Sequence, residues 1–348
     1  MAYTTIKKPS DYFNTVLYTG DDSSNRGITG VGFQPDLVWN KTRNQANFNH
    51  YIFDSVRGAG EIISSNLTNA ETSYTSEFLS LDSDGFSVTQ NAGSLGINWS
   101  SGNYVNWCWL GANGTASNTD GSITSTVSAN TTSGFSIVSY TGTGANGTVG
   151  HGLGSAPQVV IVKERSGADS WYVGHASLGF TKNLYLNLTN TPNTETAIFN
   201  DTAPTSSVFS LGNNTGINES GSTYITYCFA EKKGFSKFGS YTGNGNADGS
   251  FIYLGFKPAF LIVKRTDTAN FWLIRDNKRD TFNVSNKTLN ADGADTEASW
   301  GSTYLIDYLS NGFKCRDATT PINASGGTYI YMAFAEEPLV GDNPATAR

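Results

Sequence analysis

Three oxygen-bearing side chains at alternate positions give this chain its best candidate for a metal site. Asn244, Asn246 and Asp248 precede Gly249 in the stretch NGNADG, with the spacing of the first half of a calcium-binding loop. Such a loop is closed by a bidentate glutamate at its twelfth position, where this chain has Gly255. The sequence therefore predicts a polar turn here and no metal ion.

The other candidate metal ligands are scattered along the chain. The stretch DSDG at 82–85 offers Asp82 and Asp84, but acidic pairs of this kind usually form turns. A zinc centre needs three or four convergent ligands, and neither H-x-x-x-H nor C-x-x-C spacing occurs. No metal centre is predicted. The histidines are His50, His151 and His175.

The three cysteines are too few for a disulfide framework. Cys108 and Cys228 fall at the same point of two sequence repeats, and two distinct cores are expected to hold them apart. The last repeat has Ala333 at this point, so the thiol is interpreted as a small packing group rather than a reactive one. Cys108, Cys228 and Cys315 are therefore predicted to be unpaired.

The stretch GTGANG at 142–147 satisfies the pattern G-x-G-x-x-G and follows a predicted strand. A dinucleotide site also needs a helix N-terminus directly afterwards, because oriented N–H groups hold the pyrophosphate. The residues that follow, TVGHGLGSAP, are typical of a loop. We predict a glycine-rich hairpin and no cofactor.

Two pairs of carboxylates could serve a glycosidase, whose acid and base stand about 5–9.5 Å apart. The pairs are Asp54 with Glu61 and Asp276 with Asp280. The middle repeat has His175 at the equivalent point, so a catalytic pair common to the repeats is not supported. We predict no catalytic residue, and a capsule- or polysaccharide-degrading enzyme remains the alternative hypothesis.

The elements that position these residues come from a repeat of glycine, proline and lysine at fixed spacing. It occurs in GFQPDLVWNKTR (32–43), GSAPQVVIVKER (154–165) and GFKPAFLIVKR (255–265). The nearly continuous apolar runs are typical of a strand buried on both faces. We interpret the lysine after each run as the point where the strand leaves for solvent. These lysines are Lys41, Lys163 and Lys264.

Two further markers flank each proline strand in the same order. An opening strand ends in Y-T-G at Gly20, Gly142 and Gly243, and closing strands occupy 103–111, 223–231 and 328–336. Three markers in one order indicate a triplicated unit. Short strands with turns at roughly 8–12-residue spacing indicate an all-β sandwich or barrel.

These patterns predict an all-β fold of three tandem β-sandwich domains, jelly-roll or lectin-like, from an internal triplication. The first domain covers 1–114 with a short N-terminal arm, and the second covers 135–234. The third covers 235–348 and ends in a C-terminal tail. The polar stretch 115–134 is predicted to be a flexible linker or an extended excursion of the chain, whereas the short junction 231–234 is predicted to be stiff.

The closing strands alternate between bulky and smaller side chains, so each set faces one side of a sheet. The bulky set should face the core. We therefore predict that Trp107, Tyr227 and Met332 occupy equivalent core positions in the three units.

The composition excludes several classes of protein. Charged residues make up 15% of the chain, and the net charge is −7. Lys and Arg are scattered rather than clustered, which argues against nucleic-acid binding. No stretch approaches the ~20 apolar residues that span a bilayer, and the chain starts without the apolar run of a secretory signal. Membrane insertion and secretion are therefore not expected.

Motifs in all three units carry a resemblance to a known group of proteins. They are GFQPDLVW, FDSVRG and SDGF in the first unit, HGLGSAP, PTSSVFSLG and SGSTYITYCFAE in the second, and GFSKFGSYTGNGNADG, DNKRD, LSNGFK and SGGTYIYMAFAE in the third. Over nearly its whole length the chain resembles virion proteins of short-tailed marine bacteriophages of the cyanophage and pelagiphage kind. The resemblance implies a tail-fibre-like or other virion structural protein with lectin-like β-sandwich modules, and it implies no catalytic residues.

We therefore expect a non-enzymatic surface protein of a bacteriophage virion, either a capsid decoration or knob or a fibre-associated subunit. It is expected to assemble in the bacterial host cytoplasm, to contact other virion proteins and to form a homo-oligomer on the particle. The first repeat begins within about a dozen residues of Met1, so no separate attachment domain or heptad stalk is expected. Host-surface glycan is the expected ligand.

Three tryptophans are candidates for stacking on sugar rings. They are Trp99, Trp171 and Trp300. The alternative, which we favour, is that these side chains cap the cores of the units. No other ligand-binding residue is predicted.

Overall fold

The computed structural model of the protein describes residues 3–90, 95–299 and 303–346. The chain is built almost entirely of antiparallel β-strands, which confirms the predicted all-β class. Each of the three units contributes one large and one small sheet. Among the described residues, no helix has the length and apolar character needed to cross a membrane.

The first unit forms a six-stranded and a three-stranded sheet. Its strands are β1 (Phe13–Thr19), β2 (Arg26–Thr29), β3 (Leu37–Thr42), β4 (Tyr51–Asp54), β5 (Gly58–Ile63), β6 (Thr72–Ser73), β7 (Phe78–Asp82), β8 (Gly85–Val88) and β9 (Asn103–Trp109). The large sheet has the order β1-β9-β3-β4-β5-β6 and the small one β2-β8-β7. A 3₁₀ helix, Pro9–Asp11, precedes β1.

The second unit forms an eight-stranded and a two-stranded sheet. Its strands are β10 (Ala116–Asn118), β11 (Ser125–Asn130), β12 (Phe135–Thr141), β13 (Gly147–Gly150), β14 (Val159–Glu164), β15 (Tyr172–His175), β16 (Lys182–Tyr185), β17 (Asn193–Thr194), β18 (Val208–Leu211) and β19 (Thr223–Phe229). The orders are β10-β11-β12-β19-β14-β15-β16-β17 and β13-β18. Short helices lie at Ala176–Leu178 (3₁₀), α1 (Thr196–Phe199) and α2 (Thr215–Asn218).

The third unit forms a six-stranded and a three-stranded sheet. Its strands are β20 (Ser236–Thr242), β21 (Phe251–Tyr253), β22 (Phe256–Arg265), β23 (Trp272–Asp276), β24 (Lys287–Asn290), β25 (Ala298–Ser299), β26 (Ile306–Leu309), β27 (Gly312–Cys315) and β28 (Thr328–Pro338). The orders are β20-β28-β22-β23-β24-β25 and β21-β27-β26. A short helix, α3 (Thr320–Asn323), precedes β28.

The three large sheets share one arrangement around the closing strand. In each sheet the closing strand (β9, β19 or β28) lies between the opening strand and the proline strand. Trp107, Tyr227 and Met332 stand at the same register point of these strands and are at most 5% exposed, which confirms their predicted equivalence. The residues opposite them on the proline strands are Trp39, Ile161 and Ile262.

Both faces of each large sheet are buried, which accounts for the apolar runs of the proline strands. One face packs on the small sheet of its own unit. In the first unit Val38 and Cys108 of the large sheet share a core with Ile28 and Phe86 of the small sheet. The second and third units have cores of the same kind. Each unit is thus sandwich-like, with a core of its own.

The opposite faces of the three large sheets meet in one central core. The Trp109 ring lies 4.9 Å from Phe13, 6.3 Å from Phe229 and 5.6 Å from Phe260, measured between ring centroids. These three phenylalanines belong to the first, second and third units. A small apolar void of about 20 Å³ lies where the sheets meet. The three units therefore surround a shared core in addition to the separate cores that the sequence predicted.

Part of the segment 115–134, which the sequence predicts to be a flexible linker, is sheet. Strand β10 pairs with β11, and β11 extends the second large sheet beyond β12. Ile123, Ser125 and Val127 are buried, whereas the residues between them are exposed. Alternating Ser, Thr and Val suit a half-buried strand. Because most of these residues are polar, the alternation is not evident from composition. The segment is therefore largely part of the second unit's large sheet.

The lysines that follow the proline strands lie inside the protein, so their predicted position at the exit to solvent is wrong. Lys41, Lys163 and Lys264 are all 0% exposed. Each ammonium group donates a hydrogen bond to a backbone carbonyl, which compensates in part for its burial. The acceptors are the carbonyl oxygens of Phe48, Glu164 and Thr189, at 2.8, 2.6 and 2.8 Å. Desolvation lowers the pKa of each lysine to about 8.

These lysines predict an unusual dependence of stability on pH. Their pKa is about 8 in the folded chain and 10.5 when unperturbed, so the unfolded chain binds more protons between these values. We expect the free energy of unfolding to rise from about pH 8 to 10, by on the order of 1–2 kcal/mol per lysine. Above about pH 10 it should fall, because burial raises the pKa of Tyr140 and Tyr227 beyond that of unfolded tyrosine.

Urea unfolding at about pH 7, 9.5 and 11 measures this profile. The variant Lys163→Met should show a smaller rise than the wild type, because one of the three titrating groups is gone. A free energy of unfolding that declines steadily from pH 7 to 10 would contradict the assignment.

Cys108, Cys228 and Cys315 are unpaired and buried, as predicted. They lie in the separate cores of the three units. Burial raises the pKa of the Cys315 thiol to about 12 and the pKa values of the other two thiols still further. We expect Ellman's reagent to label no thiol of the folded protein and all three in guanidinium, because thiolate and access are both lacking. Equal labelling rates in the two conditions would disprove this.

Candidate functional site

The residues with calcium-loop spacing form a hydrogen-bonded turn, as the sequence predicts. The N–H of Asn246 donates to Asn244 Oδ1 at 3.0 Å, and the N–H of Asp248 donates to Asn246 Oδ1 at 2.9 Å. Asn323 Nδ2 donates to Asn244 Oδ1 at 2.9 Å, and Lys314 forms an ion pair with Asp248. The side-chain oxygens of this loop are thus engaged by protein donors.

The acidic stretch 82–85 also stabilises a turn. The Asp84 carboxylate accepts hydrogen bonds from the N–H groups of Gly30 and Gly32 at 3.1 and 2.7 Å. Asp82 accepts from two neighbouring serine hydroxyls at 2.7 and 2.6 Å. Within 3–90, 95–299 and 303–346, no group of three or more His, Cys, Asp or Glu side chains is placed to hold a metal ion.

The glycine-rich stretch 142–147 connects β12 to β13, which belong to different sheets. It is therefore a crossover and not the predicted hairpin, and a strand follows it where a dinucleotide site has a helix. The side chain of Asn218 accepts the N–H of Thr143 at 2.8 Å. The nearby His151 is buried, and its Nδ1 accepts the N–H of Leu153 at 3.2 Å.

One set of polar residues recurs between the units and identifies the candidate site. Asp54, His175 and Asp276 end the equivalent strands β4, β15 and β23. Each accepts the backbone N–H two residues further on, at 3.0, 3.1 and 3.1 Å. Each also contacts the closing strand of the next unit, so that the units form a ring. We call the contacts interfaces 1–2, 2–3 and 3–1.

Interface 1–2 contains a chain of charged groups. Asp54 accepts from Arg57 Nε at 2.5 Å and from the Tyr227 hydroxyl of the second unit at 2.7 Å. Arg57 Nη1 lies 3.1 Å from a carboxylate oxygen of Glu71. Both ends of the Arg165 guanidinium then bind Glu71, at 3.0 and 2.8 Å. An Asp-Arg-Glu-Arg chain thus links the two units.

Interface 3–1 contains the same chain. Asp276 accepts from Arg279 Nε at 2.5 Å and from Trp107 Nε1 of the first unit at 3.0 Å. Arg279 Nη1 lies 3.4 Å from Glu297, which both ends of the Arg43 guanidinium bind at 2.8 and 3.1 Å. The side chains of Asp54, Arg57, Asp276 and Arg279 have no exposure to solvent.

Interface 2–3 lacks this chain because its residues differ. In the other two interfaces the aspartate is followed by a buried arginine, a glutamate and a second arginine. The equivalent positions of interface 2–3 are assigned from strand register and the matching backbone hydrogen bonds. They hold Leu178, Pro192 and Thr266. None of these side chains carries a charge, so the bridge cannot form.

The carboxylate of the other two interfaces is also replaced. His175 Nε2 lies 3.3 Å from the Tyr331 carbonyl oxygen, a hydrogen bond that requires the ring to donate. Met332 occupies the place from which Trp107 and Tyr227 donate, and it has no donor. Burial lowers the pKa of His175 to about 4, so its ring is neutral at pH 7.

A cleft of about 520 Å³ lies at interface 2–3, where the charged bridge is missing. Leu178, Lys182 and Pro192 of the second unit form one wall, and Ser240, Thr266 and Asp267 belong to the other. Beneath it the units remain in contact through Trp272 Nε1, which donates to the Tyr185 carbonyl at 2.9 Å. The cleft thus lies at the one interface of the ring that lacks the charged bridge.

A larger hollow of about 620 Å³ lies around Phe271 and Tyr304. The carbonyls of Thr189 and Asn270 on its wall accept hydrogen bonds from the buried Lys264. These polar groups therefore serve the packing of the lysine, and the hollow lacks the charged side chains that line the cleft at interface 2–3.

Three of the four carboxylates considered for glycoside hydrolysis are bound by protein donors. Asp54, the partner of Glu61, is buried under Arg57 and Tyr227. Asp280 Oδ2 accepts backbone N–H groups from Asn286 and Lys287 at 2.6 and 3.1 Å, and Asp276 binds Arg279.

Of the tryptophans considered for sugar stacking, Trp171 packs inside the protein and Trp99 lies partly at the surface. Trp171 is 0% exposed and donates its Nε1–H to the Ser64 carbonyl at 2.9 Å. Trp99 is half-buried, with its ring 4.8 Å from the Phe48 ring. Trp300 lies outside the described residues.

The sequence alone does not identify the cleft residues, because none of them belongs to a recognisable motif. The structure brings Asp54 to Tyr227 and Asp276 to Trp107, which the sequence places in unrelated roles. The cleft could be found from the sequence only through the positions at which the three repeats differ. Arg43 and Arg165 correspond to Thr266, and a comparison of aligned positions would have identified the missing bridge.

Comparison with known proteins gives one result for the whole ring. Residues 8–338 match a family model described as a domain of unknown function, DUF7483. No curated protein and no solved structure matches the chain. The matched range includes β1 to β28 and all three interfaces. The chain therefore belongs to the DUF7483 family.

Proposed function

We propose that the chain is an internal triplication of a lectin-like β-sandwich unit and a non-enzymatic surface protein of a bacteriophage virion. The sequence resemblance supports the virion, and the common strand order of the large sheets supports the triplication. The three units surround one shared core, which suits a subunit that is fixed to a particle.

The observation that carries the proposal is the structural use of the repeated acidic residues. Asp54 and Asp276 are the strongest candidates for acid–base chemistry, and each is saturated by an arginine, a backbone N–H and an aromatic donor. A catalytic carboxyl group must exchange protons with a substrate, which a fully buried and bonded carboxylate does not reach. These residues therefore hold the ring together.

On the particle, the protein is proposed to be a capsid decoration or knob, or a fibre-associated subunit. Its partners are other virion proteins and host-surface glycan, and copies form a homo-oligomer after assembly in the bacterial cytoplasm. Polar loops on a rigid β-scaffold supply the binding surface.

Immunogold labelling of purified particles tests the location. We expect label on the outside of intact particles and the protein in their protein content. Detection only in the lysate of infected cells, with none on purified particles, would overturn the proposed role.

Incubation with host polysaccharide tests the absence of catalysis. We expect the chain-length distribution to remain unchanged over hours. Reproducible shortening that disappears in folded Asp54→Asn or Asp276→Asn protein would instead establish the polysaccharide-degrading alternative.

A further inference from the structure

We propose that the cleft at interface 2–3 is a saccharide-binding site. This inference rests on the proposed function, because it gives host-surface glycan a place on the molecule. Interface 2–3 lacks the charged bridge that fills the same place in interfaces 1–2 and 3–1.

The closed interface 1–2 shows what normally fills the space. The Arg165 guanidinium reaches from Glu71 to the Ser139 hydroxyl, which accepts Nη1–H at 3.2 Å. Ser240 holds the place of Ser139, because both serines pair with the same position of their closing strands. With Thr266 in place of the arginine, the space between Ser240 and the second unit is left open.

The walls of the opening suit a ligand rich in hydroxyl groups. Serine and threonine hydroxyls both donate and accept hydrogen bonds, as do the hydroxyls of a sugar. The cleft is lined by the hydroxyl-bearing residues Ser177, Thr191, Ser240, Thr266 and Thr328. Leu178 and Pro192 add an apolar patch that fits the C–H face of a pyranose ring, and burial of that face is favourable.

The charges in the cleft disfavour a strongly charged ligand. Asp267 is bound by both ends of the Arg265 guanidinium at 2.8 Å. Its carboxylate is therefore already paired and would not attract an arginine of a partner protein. The same hydrogen bonds lower the pKa of Asp267 to about 2 and keep it negative. A phosphate would meet one exposed ammonium, Lys182, in a cleft that also holds this negative charge. A neutral polyhydroxyl ligand avoids both conflicts.

The dimensions also fit a short saccharide. The cleft of about 520 Å³ lies within the range of roughly 300–1,000 Å³ found for small-ligand sites. Lys182 and Ser240 at its walls are exposed, so a longer glycan can continue into solvent.

The test closes the cleft with the bridge that the chain uses elsewhere. The double variant Thr266→Arg/Pro192→Glu reproduces the arginine–glutamate pair of interface 1–2. Thr126→Arg adds an arginine at an exposed position of β11, away from the residues that line the cleft, as the matched control. Urea unfolding confirms that each variant is folded.

Binding is measured on an array of bacterial surface oligosaccharides and then by titration calorimetry with the best binder. We expect the wild type and Thr126→Arg to bind within about threefold of one another, and the double variant at least tenfold more weakly. No binding to any oligosaccharide, or equal binding by the double variant, would overturn the site. Immunogold labelling tests the virion role independently of saccharide binding. Failure of one proposal can therefore be distinguished from failure of the other.

Discussion

Replacement of Arg279 with alanine should destabilise the protein by about 3–5 kcal/mol, because it leaves the buried carboxylate of Asp276 without its cation. The Asp276 and Arg279 side chains both have no exposure to solvent and are joined at 2.5 Å. Alanine also removes the second contact of the arginine, with Glu297 at 3.4 Å. Urea unfolding of the variant and the wild type measures the loss.

The second unit supplies the control for this variant. It has His175 and Leu178 at the two positions, which pack there without a buried ion pair. The double variant Asp276→His/Arg279→Leu should therefore recover at least half of the stability lost by Arg279→Ala, because no charge is left unpaired. A single variant within about 1 kcal/mol of the wild type would show that the ion pair does not hold the interface.

Replacement of Trp109 with alanine should cost about 3–5 kcal/mol and loosen all three units together. Its ring contacts phenylalanines of the first, second and third units at the centre of the shared core. Amide hydrogen exchange should therefore accelerate in β9, β19 and β28 of the variant to a similar extent.

Trp109→Phe is the matched control. The indole Nε1–H of Trp109 has no hydrogen-bond partner among residues 3–90, 95–299 and 303–346, so phenylalanine removes volume without breaking a hydrogen bond to them. We expect it to lose less than half as much stability as the alanine variant. Faster exchange confined to β9 in Trp109→Ala would show that the units are independent.

Patterns that depend on burial alone could be predicted from the sequence. A strand that is buried on both faces must be apolar throughout, and the proline strands are. Alternation along the closing strands likewise placed Trp107, Tyr227 and Met332 in a core. The turn at 244–249 was predictable because a missing ligand was visible in the sequence itself.

Features that depend on contacts between repeats could not be predicted. Alternation shows that Trp107 faces a core but not that units one and three share it. A lysine after an apolar run usually lies where the strand reaches solvent. Lys264 is buried instead because its ammonium group donates a hydrogen bond to a loop carbonyl, which the sequence does not reveal. The cleft is hidden for the same reason, since Thr266 and Pro192 have meaning only beside the arginine and glutamate that replace them elsewhere.

Differential scanning calorimetry of the full chain tests the shared core most directly. If the three units depend on one central core, the protein should unfold in a single transition whose calorimetric and van't Hoff enthalpies agree. Two or three separate transitions, or a van't Hoff enthalpy near one third of the calorimetric value, would show independent units and contradict the ring described above.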